Sequence, residues 1–289
     1  MKGDTPMKKI IALVAALVLT LSLTAALADT ITIAVPNDPT NEGRALNILQ
    51  DAGVIKLKDD AGITATKEDI VEFVTAEIEF YEVAADVVPS VVGDVDYAII
   101  NGNYALDAGI DPKGALLTEK AIDNPYINVI SVKEGNEDSD LAKALAAAAT
   151  SQKVLDYINE KYSGVVVIAV ENVTDGYDPT VDYEALNGQT IVVAATPVPH
   201  EEILRDVVAP ILAEKGITLE VKEVTDYVTP NQFVEAGDVF ANYFAHQPYQ
   251  DSFNAENGTH LVTIAGVHVE PMGLYAGKQA DLTALGLGE

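Results

Sequence analysis

Apolar and polar residues occur in blocks along the chain, and the order of these blocks repeats. From Thr30, the apolar run TITIAV is followed by the turn PNDPTN and the amphipathic segment EGRALNILQDAG, which ends at Gly53. From Thr190, TIVVAA is followed by TPVPHEE and ILRDVVAPILAEKG, which ends at Gly216. Short apolar runs bounded by turn residues predict buried strands, and glycine after a periodic segment predicts a helix end. Each half therefore predicts a strand, a turn and a helix.

Both halves continue with the same order of segments. A strand-like segment that runs to a proline comes next, IEFYEVAADVVP in one half and ITLEVKEVTDYVTP in the other. A further strand then ends in polar and aromatic residues, DVDYAIINGNYA or DVFANYFAHQPY. Strands that alternate with helices predict parallel sheets with helical crossovers. We expect an α/β fold of two lobes, each a mainly parallel sheet flanked by helices, with a ligand cleft between them.

The domain boundaries follow these blocks. Lobe A is predicted at residues 29–106 and lobe B at residues 190–289. Residues 107–170 contain NPYINVISVK, predicted as a strand that crosses between the lobes, and an alanine-rich segment predicted as one long helix from about Asp138 to Tyr162 that returns to lobe B. Residues 171–189 are rich in turn residues and are predicted to be a linker.

The first 28 residues have the pattern of a secretory signal peptide. Lys8 and Lys9 precede an apolar stretch at residues 10–23, and the Ala-Leu-Ala sequence that ends at Ala28 fits a signal peptidase site. We expect cleavage after Ala28 and export of the mature chain to the periplasm or another extracytoplasmic space. A retained membrane anchor is the weaker interpretation, because the apolar stretch is short for a bilayer span.

Charge and cysteine content narrow the function classes. The sequence has 17 Lys and Arg against 45 Asp and Glu, and its formal net charge is -28. So acidic a chain offers no basic surface for phosphates, which argues against a nucleic-acid partner and against docking on anionic lipid. The absence of cysteine excludes disulfides, thiol nucleophiles, cysteine-ligated metals and a lipidated cysteine within these 289 residues.

Catalytic motifs are not found in the sequence. The segment HEEIL, from His200, lacks the second histidine of a zinc protease, and neither a phosphate-binding glycine loop nor a Gly-x-Ser-x-Gly motif occurs. The four histidines, at positions 200, 246, 260 and 268, are not spaced as a helical metal pair. We therefore expect no enzyme activity, no catalytic residue, no metal and no cofactor.

The two arginines suggest different roles. Arg44 follows a strand and a turn at the start of a predicted helix, where free backbone N–H groups and the helix dipole favour an anion. Its guanidinium can hold a carboxylate with two parallel hydrogen bonds, although a structural salt bridge is an alternative. Arg205 has the acidic neighbours Glu201 and Asp206, which favour a solvated surface ion pair.

Amides and aromatic residues follow the last predicted strands of the two lobes. Asn101 and Asn103 end the strand of lobe A, and amides can donate to and accept from a ligand. The corresponding segment of lobe B contains Asn242, Tyr243, Phe244, His246 and Tyr249, with Tyr227 on the preceding turn. Some of these rings belong to a core by spacing alone, but a cluster past a strand end favours a cleft wall. Together with Arg44, this set predicts a pocket for an amino acid with an apolar side chain.

Several segments resemble those of the periplasmic methionine-binding lipoproteins that supply ABC importers. The resemblance rests on AVPNDPTNEGRAL, AIINGNYAL, NPYINVI, ATPVPHEEIL, TDYVTPN, FAHQPY and HVEPMGLY, and it covers most of the mature chain. It implies a type II periplasmic-binding fold, monomeric, that closes on methionine and delivers it to a permease with ATPase subunits. By the same resemblance, Arg44 holds the ligand carboxylate, and Asn101 and Asn128 contact its amino and carboxylate ends. The resemblance also implies that the thioether side chain of the ligand is surrounded by Tyr227, Phe244, His246 and Tyr249.

The sequence departs from this family in three respects. The segment order is permuted, because the AVPNDPTN unit precedes the ATPVPH unit, with the region near residues 171–189 joining the former ends. The family's lipidated cysteine is missing, which implies an exported form without a cysteine-linked lipid. Ala245 replaces a glutamine, so a different small apolar amino acid or a short peptide remains an alternative ligand. An exported enzyme on the same scaffold is a further, weaker alternative.

Overall fold

The computed structural model describes residues 30–120 and 124–288. The predicted signal peptide at residues 1–28 lies outside the described residues. None of the helices in the part of the chain that the structure describes is both long and apolar enough to cross a membrane.

The strands form two main sheets and a small two-stranded sheet. The first sheet has the order β4-β1-β5-β13-β6 and the second β10-β9-β11-β7-β12-β8, while β2 pairs with β3. The strands are β1 (Ile31–Pro36), β2 (Ile55–Leu57), β3 (Ile70–Phe73), β4 (Ile78–Val83), β5 (Tyr97–Ile100), β6 (Leu117–Thr118), β7 (Asn128–Lys133), β8 (Val167–Ile168), β9 (Thr190–Ala195), β10 (Thr218–Glu223), β11 (Ala241–His246), β12 (Leu261–Val269) and β13 (Gly273–Ala276).

The α-helices connect the strands and cover the sheets. They are α1 (Pro39–Asp51), α2 (Gly102–Asp107), α3 (Asp140–Ala149), α4 (Gln152–Lys161), α5 (Tyr183–Leu186), α6 (Ala209–Ala213), α7 (Thr229–Ala236) and α8 (Gln247–Asn257). Shorter 3-10 turns lie at Gly62–Thr64, Lys67–Asp69, Val88–Asp94, Pro112–Gly114 and Leu282–Leu285, and π-helical turns lie at Pro197–Glu201 and Leu204–Val208.

The repeated strand, turn and helix of the two halves are confirmed. In the first half, β1 leads into α1, whose N-cap is Asp38 and which ends shortly before Gly53, in the left-handed conformation at φ 76°. In the second half, β9 leads through helical turns into α6, and Gly216 likewise has positive φ. Glycine ends both helical segments because it adopts this conformation without a steric penalty.

The α/β class is confirmed, but the sheets are mixed. The repeated units supply the parallel pairs, in which β1 lies between β4 and β5, and β9 lies between β10 and β11. The strands β13, β6, β7, β12 and β8 join antiparallel. The pattern of alternating strands and helices specifies crossovers only within each unit, so it does not reveal strands that enter from the other half of the chain.

Two short segments connect the sheets. Residues 119, 120 and 124–127 lie between β6 of the first sheet and β7 of the second, and residues 270–272 lead from β12 back to β13 in the first. The predicted crossing strand is β7. Because β13 pairs with β5, the chain returns to the first sheet near its C-terminus, whereas the sequence assigns all of residues 190–289 to one lobe. We call the first sheet with its helices lobe A and the second lobe B.

Each lobe has its own apolar core. In lobe A, Ile33, Leu46 and Leu274 belong to one buried cluster, and in lobe B, Ile130 and Ile191 belong to another. The buried apolar cluster of lobe B also includes Val181 and Leu186, which belong to the predicted linker at residues 171–189. This linker therefore packs against lobe B.

The single long helix predicted from Asp138 to Tyr162 is wrong. The structure has two helices, α3 and α4, separated at Thr150 and Ser151. The Ser151 side chain accepts a hydrogen bond from the backbone N–H of Val154 and thereby caps the start of α4. Serine at this position competes for backbone hydrogen bonds and favours a new helix start over continuation.

Candidate ligand-binding site

A small cavity, closed over by both lobes, lies at the carboxyl ends of β1, β5 and β11. All seven residues predicted from the sequence to contact the ligand line this cavity, although they come from five separate stretches of the chain. The eleven lining residues are Asn41, Arg44, Asn101, Asn103, Asn128, Tyr227, Phe244, Ala245, His246, Tyr249 and Glu270. Two larger grooves on the surface are open to solvent. We assign the site to the closed cavity because polar groups from both lobes converge there.

Arg44, on α1, is held by both segments that connect the lobes. Its Nε lies 2.9 Å from each carboxylate oxygen of Glu119, and its Nη2 also donates to Glu119. Nη2 donates to the backbone carbonyl of Glu270 at 2.7 Å as well. The guanidinium carbon lies 4.5 Å from the centre of the Tyr126 ring. The side chain of Arg44 is therefore fixed in place before any ligand enters.

The charge of Arg44 is maintained by its partner. Burial opposes the positive charge, but the Glu119 carboxylate more than offsets this and raises the pKa of Arg44. The sequence suggests two roles for Arg44, a contact with a ligand carboxylate and a structural salt bridge. The structure is compatible with both, because Arg44 lines the cavity and also forms a buried ion pair. The ion pair orients the guanidinium and reduces its net charge toward a ligand.

A chain of hydrogen bonds fixes the orientation of two amides. The backbone N–H of Tyr249 donates to Nδ1 of His246 at 3.0 Å, so the ring carries its proton on Nε2, which lies 3.1 Å from Oδ1 of Asn41. The same oxygen accepts from Nδ2 of Asn101 at 2.8 Å. Burial and the nearby Arg44 lower the pKa of His246, which keeps its ring neutral. Oδ1 of Asn101 is buried and has no hydrogen-bond partner among the described residues.

Asn128 is held by a comparable contact. It begins β7, directly opposite His246 of β11 on one side and His268 of β12 on the other. Its Oδ1 lies 3.1 Å from Nε2 of His200. Because Nδ1 of His200 is bonded to the Thr196 hydroxyl at 2.8 Å, the Nε2 proton is the one available to Asn128. The Nδ2 group of Asn128 is then left with its two donors for a ligand.

Aromatic rings form the wall of the cavity on the side of lobe B. The ring centres of Tyr227 and Phe244 are 5.6 Å apart, and Tyr249 lies 5.8 Å and 5.9 Å from these two rings. The Tyr249 hydroxyl donates to the backbone carbonyl of Tyr227 at 2.9 Å. These rings present an apolar surface to the cavity and are held in fixed orientations.

Hydrogen bonds across the cleft hold the lobes together. The Tyr227 hydroxyl donates to Oδ1 of Asn103 at 2.7 Å, and the Tyr104 hydroxyl of α2 donates to the backbone carbonyl of Thr225 at 2.7 Å. Tyr104 and Tyr227 also stack, with ring centres 4.7 Å apart. The structure therefore shows the lobes closed on each other.

A family model described as NlpA lipoprotein matches the chain over two blocks, residues 20–170 and residues 191–289. The chain belongs to this family. The stretch between the two blocks coincides with the predicted linker at residues 171–189.

Individual relatives of this NlpA-family chain match over about half of its length. Outer membrane lipoprotein 3 of Mannheimia haemolytica is 40% identical over 144 residues, which is 50% of this chain and 54% of the relative. The D-methionine-binding lipoprotein MetQ of Salmonella typhimurium is 38% identical over 138 residues, covering 47% of this chain and 50% of the relative. The chain thus spans about half the length of the curated relatives it matches.

A solved structure gives a similar partial match. It is a nutrient binding protein from Burkholderia cenocepacia bound to methionine, 40% identical, with a TM-score of 0.44 over 48% of this chain and 59% of the other.

The structure of this NlpA-family chain adds residues that sequence reasoning missed. Asn41 and Glu119 bond directly to the predicted site residues, and Glu270 lines the cavity. Asn41 lies one turn before Arg44 on α1, so helical spacing offered a signal for it. Glu119 and Glu270 lie in the two connecting segments, whose position depends on the packing of both lobes.

A buried cluster of histidines lies behind the cavity wall. One ligand atom each from His200, His268 and Glu270 lie within 4.8 Å of one another, a spacing that could hold a metal ion. Hydrogen bonds already use these atoms, since Nε2 of His268 lies 2.6 Å from Oε1 of Glu270. The sequence spacing of the histidines gave no sign of this cluster, because it forms only when β12 packs beside β7 and the turn after β9.

Proposed function

We propose that this chain is an extracytoplasmic solute-binding protein that binds methionine and delivers it to an ABC importer composed of a permease and ATPase subunits. The observation that supports this most strongly is the closed cavity, in which one guanidinium, two oriented amides and an aromatic wall meet. A guanidinium with amides matches a zwitterion, and the rings match an apolar side chain.

The fixed orientations suggest how methionine is placed. Arg44 and Nδ2 of Asn128 are donors and take the carboxylate, while Oδ1 of Asn101 is an acceptor and takes the ammonium group. The thioether lies against Tyr227, Phe244 and the other rings of lobe B, since sulfur contacts aromatic edges favourably. His246 is neutral and belongs to this wall as a hydrogen-bonding group.

Relatives support the ligand class. The matching family model covers both halves of the chain, and the relative from Salmonella typhimurium is named a D-methionine-binding lipoprotein. Because the matched relatives align over only about half of their length, the ligand and the importer are our proposals for this chain. The family of binding proteins also supports reversible binding without chemistry as the activity.

In the proposed mechanism, the two lobes close on the ligand. An open form admits the ligand, and the lobes then close through contacts such as the Tyr104 and Tyr227 hydrogen bonds across the cleft. A ligand that contacts both lobes stabilises the closed form by its higher affinity for it. The joined surface of the two lobes is then presented to the permease.

Mass spectrometry of the ligand that copurifies with natively folded protein tests the proposal. We expect methionine, and calorimetry with ligand-free protein should then show saturable binding of methionine. A thermal-shift screen over all amino acids and short peptides separates methionine from the alternatives that Ala245 favours. A larger shift with another ligand would replace methionine, and turnover of a methionine derivative would favour the alternative of an exported enzyme.

We also propose that the chain is circularly permuted relative to its family. The family model matches in two blocks that meet at the predicted junction, and individual relatives match only half of the chain, as expected when a linear alignment follows one block. Ile31 and Leu285 lie in the same apolar cluster, which places the two ends of the described chain in one lobe. A rearranged chain that begins at residue 190 and continues from residue 289 into residue 30 should fold and bind the same ligand. Failure of that chain to fold would contradict the proposal.

Export without a cysteine-linked lipid is the remaining part of the proposal. The sequence of residues 1–28 supports export, and no cysteine is present in the 289 residues. Cell fractionation and the intact mass of the mature protein test both points, with cleavage expected after Ala28. A mass that retains residues 1–28 would favour the membrane-anchor alternative.

A further inference from the structure

Glu270 is a buried carboxylate in the second connecting segment, with only 4% of its surface exposed, and it lines the cavity. Its Oε1 lies 2.6 Å from Nε2 of His268 and 3.4 Å from Nε2 of His200. The histidines therefore approach this carboxylate from the interior of lobe B.

His268 directs a proton toward Glu270, whereas His200 directs its Nε2 proton to Oδ1 of Asn128 and lies beside the carboxylate. The Tyr243 hydroxyl lies 2.5 Å from Nδ1 of His268, and the Thr196 hydroxyl lies 2.8 Å from Nδ1 of His200. When these hydroxyls donate to Nδ1, each neutral ring carries its proton on Nε2. Burial lowers the pKa of His200 to about 4, so its ring is neutral near pH 7. His200 therefore adds no positive charge beside Glu270 at this pH.

Glu270 does not form an ion pair with the buried arginine of the cavity wall. The nearest buried cation, Arg44, is already paired with Glu119. Burial opposes the ionisation of Glu270, but His200, His268 and Arg44 together hold the pKa of its carboxyl below the ordinary value. A buried carboxylate that pairs with no Lys or Arg among the described residues is costly, so a ligand that brings a positive charge to this point gains binding energy.

A second acceptor lies on a segment next to Glu270. Gly102 follows Asn101 directly, and a Cβ atom placed on Gly102 would lie 2.7 Å from Cβ of Glu270. The pairing of Ile100 with Gly273 sets this close approach of β5 to the second connecting segment. Asn101, whose Oδ1 has no hydrogen-bond partner among the described residues, and Glu270 therefore lie on neighbouring segments, and both line the cavity.

We propose that Glu270 is the counter-ion for the ligand ammonium group, with Oδ1 of Asn101 as its second acceptor, and that Glu270 makes the protein select 2-amino acids over the corresponding 2-hydroxy acids. His200 and His268 are positioning residues that keep the carboxylate ionised and aimed at the cavity. The inference deepens the proposed function and depends on it for the identity of the side chain.

Calorimetry with two ligands tests the role of Glu270. Methionine and its 2-hydroxy analogue share the carboxylate and the thioether and differ in the ammonium group. Glu270→Gln keeps the shape and the acceptor for His268 but removes the charge. We expect this variant to bind methionine at least about tenfold more weakly, as for loss of a charge-assisted hydrogen bond. Its affinity for the 2-hydroxy analogue should stay within about threefold of the original protein, because that ligand makes no such bond.

The matched control is Glu220→Gln, which removes a carboxylate from the exposed face of β10. It should leave both affinities unchanged. An equal loss for the two ligands in Glu270→Gln would mean that Glu270 only supports the structure, and an unchanged affinity for methionine would remove it from the site. Either result overturns the proposal.

A measurement on the unaltered protein covers the case in which Glu270→Gln does not fold. The 2-hydroxy analogue brings a carboxylate but no cation, so its binding should take up a proton at the Glu270 cluster, whose neighbours are His200, His268, Tyr243 and Arg44. Methionine should bind without net proton uptake. Calorimetry in two buffers of different ionisation enthalpy measures this difference, and equal proton uptake for both ligands would contradict the proposal.

Failure of the proposed function can be distinguished from failure of the inference about Glu270. If the unaltered protein binds no methionine, the copurified ligand identifies the true 2-amino acid. The same comparison is then made with that amino acid and its 2-hydroxy analogue. A copurified ligand without an ammonium group would overturn the role of Glu270 as well.

Discussion

The two arginines of the chain occupy comparable places in its two halves but lie in different environments. Arg44 is on α1 after β1, and Arg205 is in the helical turns after β9. Arg44 is 3% exposed and pairs with Glu119, 75 positions away in the sequence. Arg205 is 57% exposed and pairs with Glu201 at 2.5 Å, four positions earlier in the same helical region. The surface ion pair expected for Arg205 is therefore present.

The contrast between Arg44 and Arg205 shows which feature distinguishes the two copies of the repeated strand, turn and helix. Strand, turn and helix place an arginine near the cleft in one half and on the outer face in the other. Of the two arginines, Arg44 alone contacts the connecting segments among the described residues, through the Glu119 carboxylate and the Glu270 carbonyl. The connecting segments therefore distinguish the buried arginine from the exposed one, and each prediction below tests that distinction.

Replacing the buried arginine should have the largest effect. Arg44→Ala removes the guanidinium proposed to hold the ligand carboxylate, and we expect a loss of roughly 2–5 kcal/mol in methionine binding, which abolishes it in practice. Calorimetry on ligand-free protein measures the loss. Thermal melting verifies folding, and Arg44→Lys replaces the alanine variant if that one is unfolded. Unchanged affinity would refute the assignment.

Acid should destabilise the buried cluster close to Arg44. Burial lowers the pKa of His200 from an ordinary value near 6.5 to about 4. Between these values the unfolded chain binds the proton more readily, so the free energy of unfolding should decrease as the pH falls from about 6.5 to 4. This one residue contributes about 3 kcal/mol to the loss. Urea unfolding at several pH values measures it. His200→Gln should flatten the profile, whereas replacement of the exposed His260 should not.

The partner of the buried arginine should affect stability more than affinity. Glu119→Gln keeps an acceptor for Arg44 but leaves the guanidinium without its counter-charge, so we expect a loss of about 1–3 kcal/mol in the free energy of unfolding. A ligand carboxylate should restore part of this loss, which increases the thermal shift produced by methionine. An equal shift in the variant and the original protein would indicate that ligand and Glu119 do not share Arg44.

The exposed arginine should matter least. Arg205→Ala removes a solvent-accessible ion pair, and we expect a change of less than about 1 kcal/mol in stability and no change in methionine affinity. Melting temperature and calorimetry check both, alongside Arg44→Ala. A loss of affinity comparable with that of Arg44→Ala would show that burial does not separate the two arginines.

Local sequence patterns and the family resemblance predicted much of the fold and many of the residues that line the cavity. The strands before and after α1 and the end of α1 at Gly53 follow from periodicity and glycine. The resemblance to binding proteins named Asn128, whose partner His200 is 72 positions away. Helix continuity across Ser151 was mispredicted, because a single capping side chain outweighed the alanine-rich pattern on either side.

The sequence by itself determined the α/β class, the repeated units and the choice of Arg44 and the aromatic rings, because these depend on spacing within short segments. Tertiary structure alone decided the antiparallel strands, the pairing of Arg44 with Glu119 and the gathering of His200, His268 and Glu270. Each of these contacts joins residues whose proximity depends on how the two lobes pack and how the connecting segments run between them. The spacing of residues within a short segment does not reveal that packing, because the partners of a buried polar group are close in space but distant in the sequence.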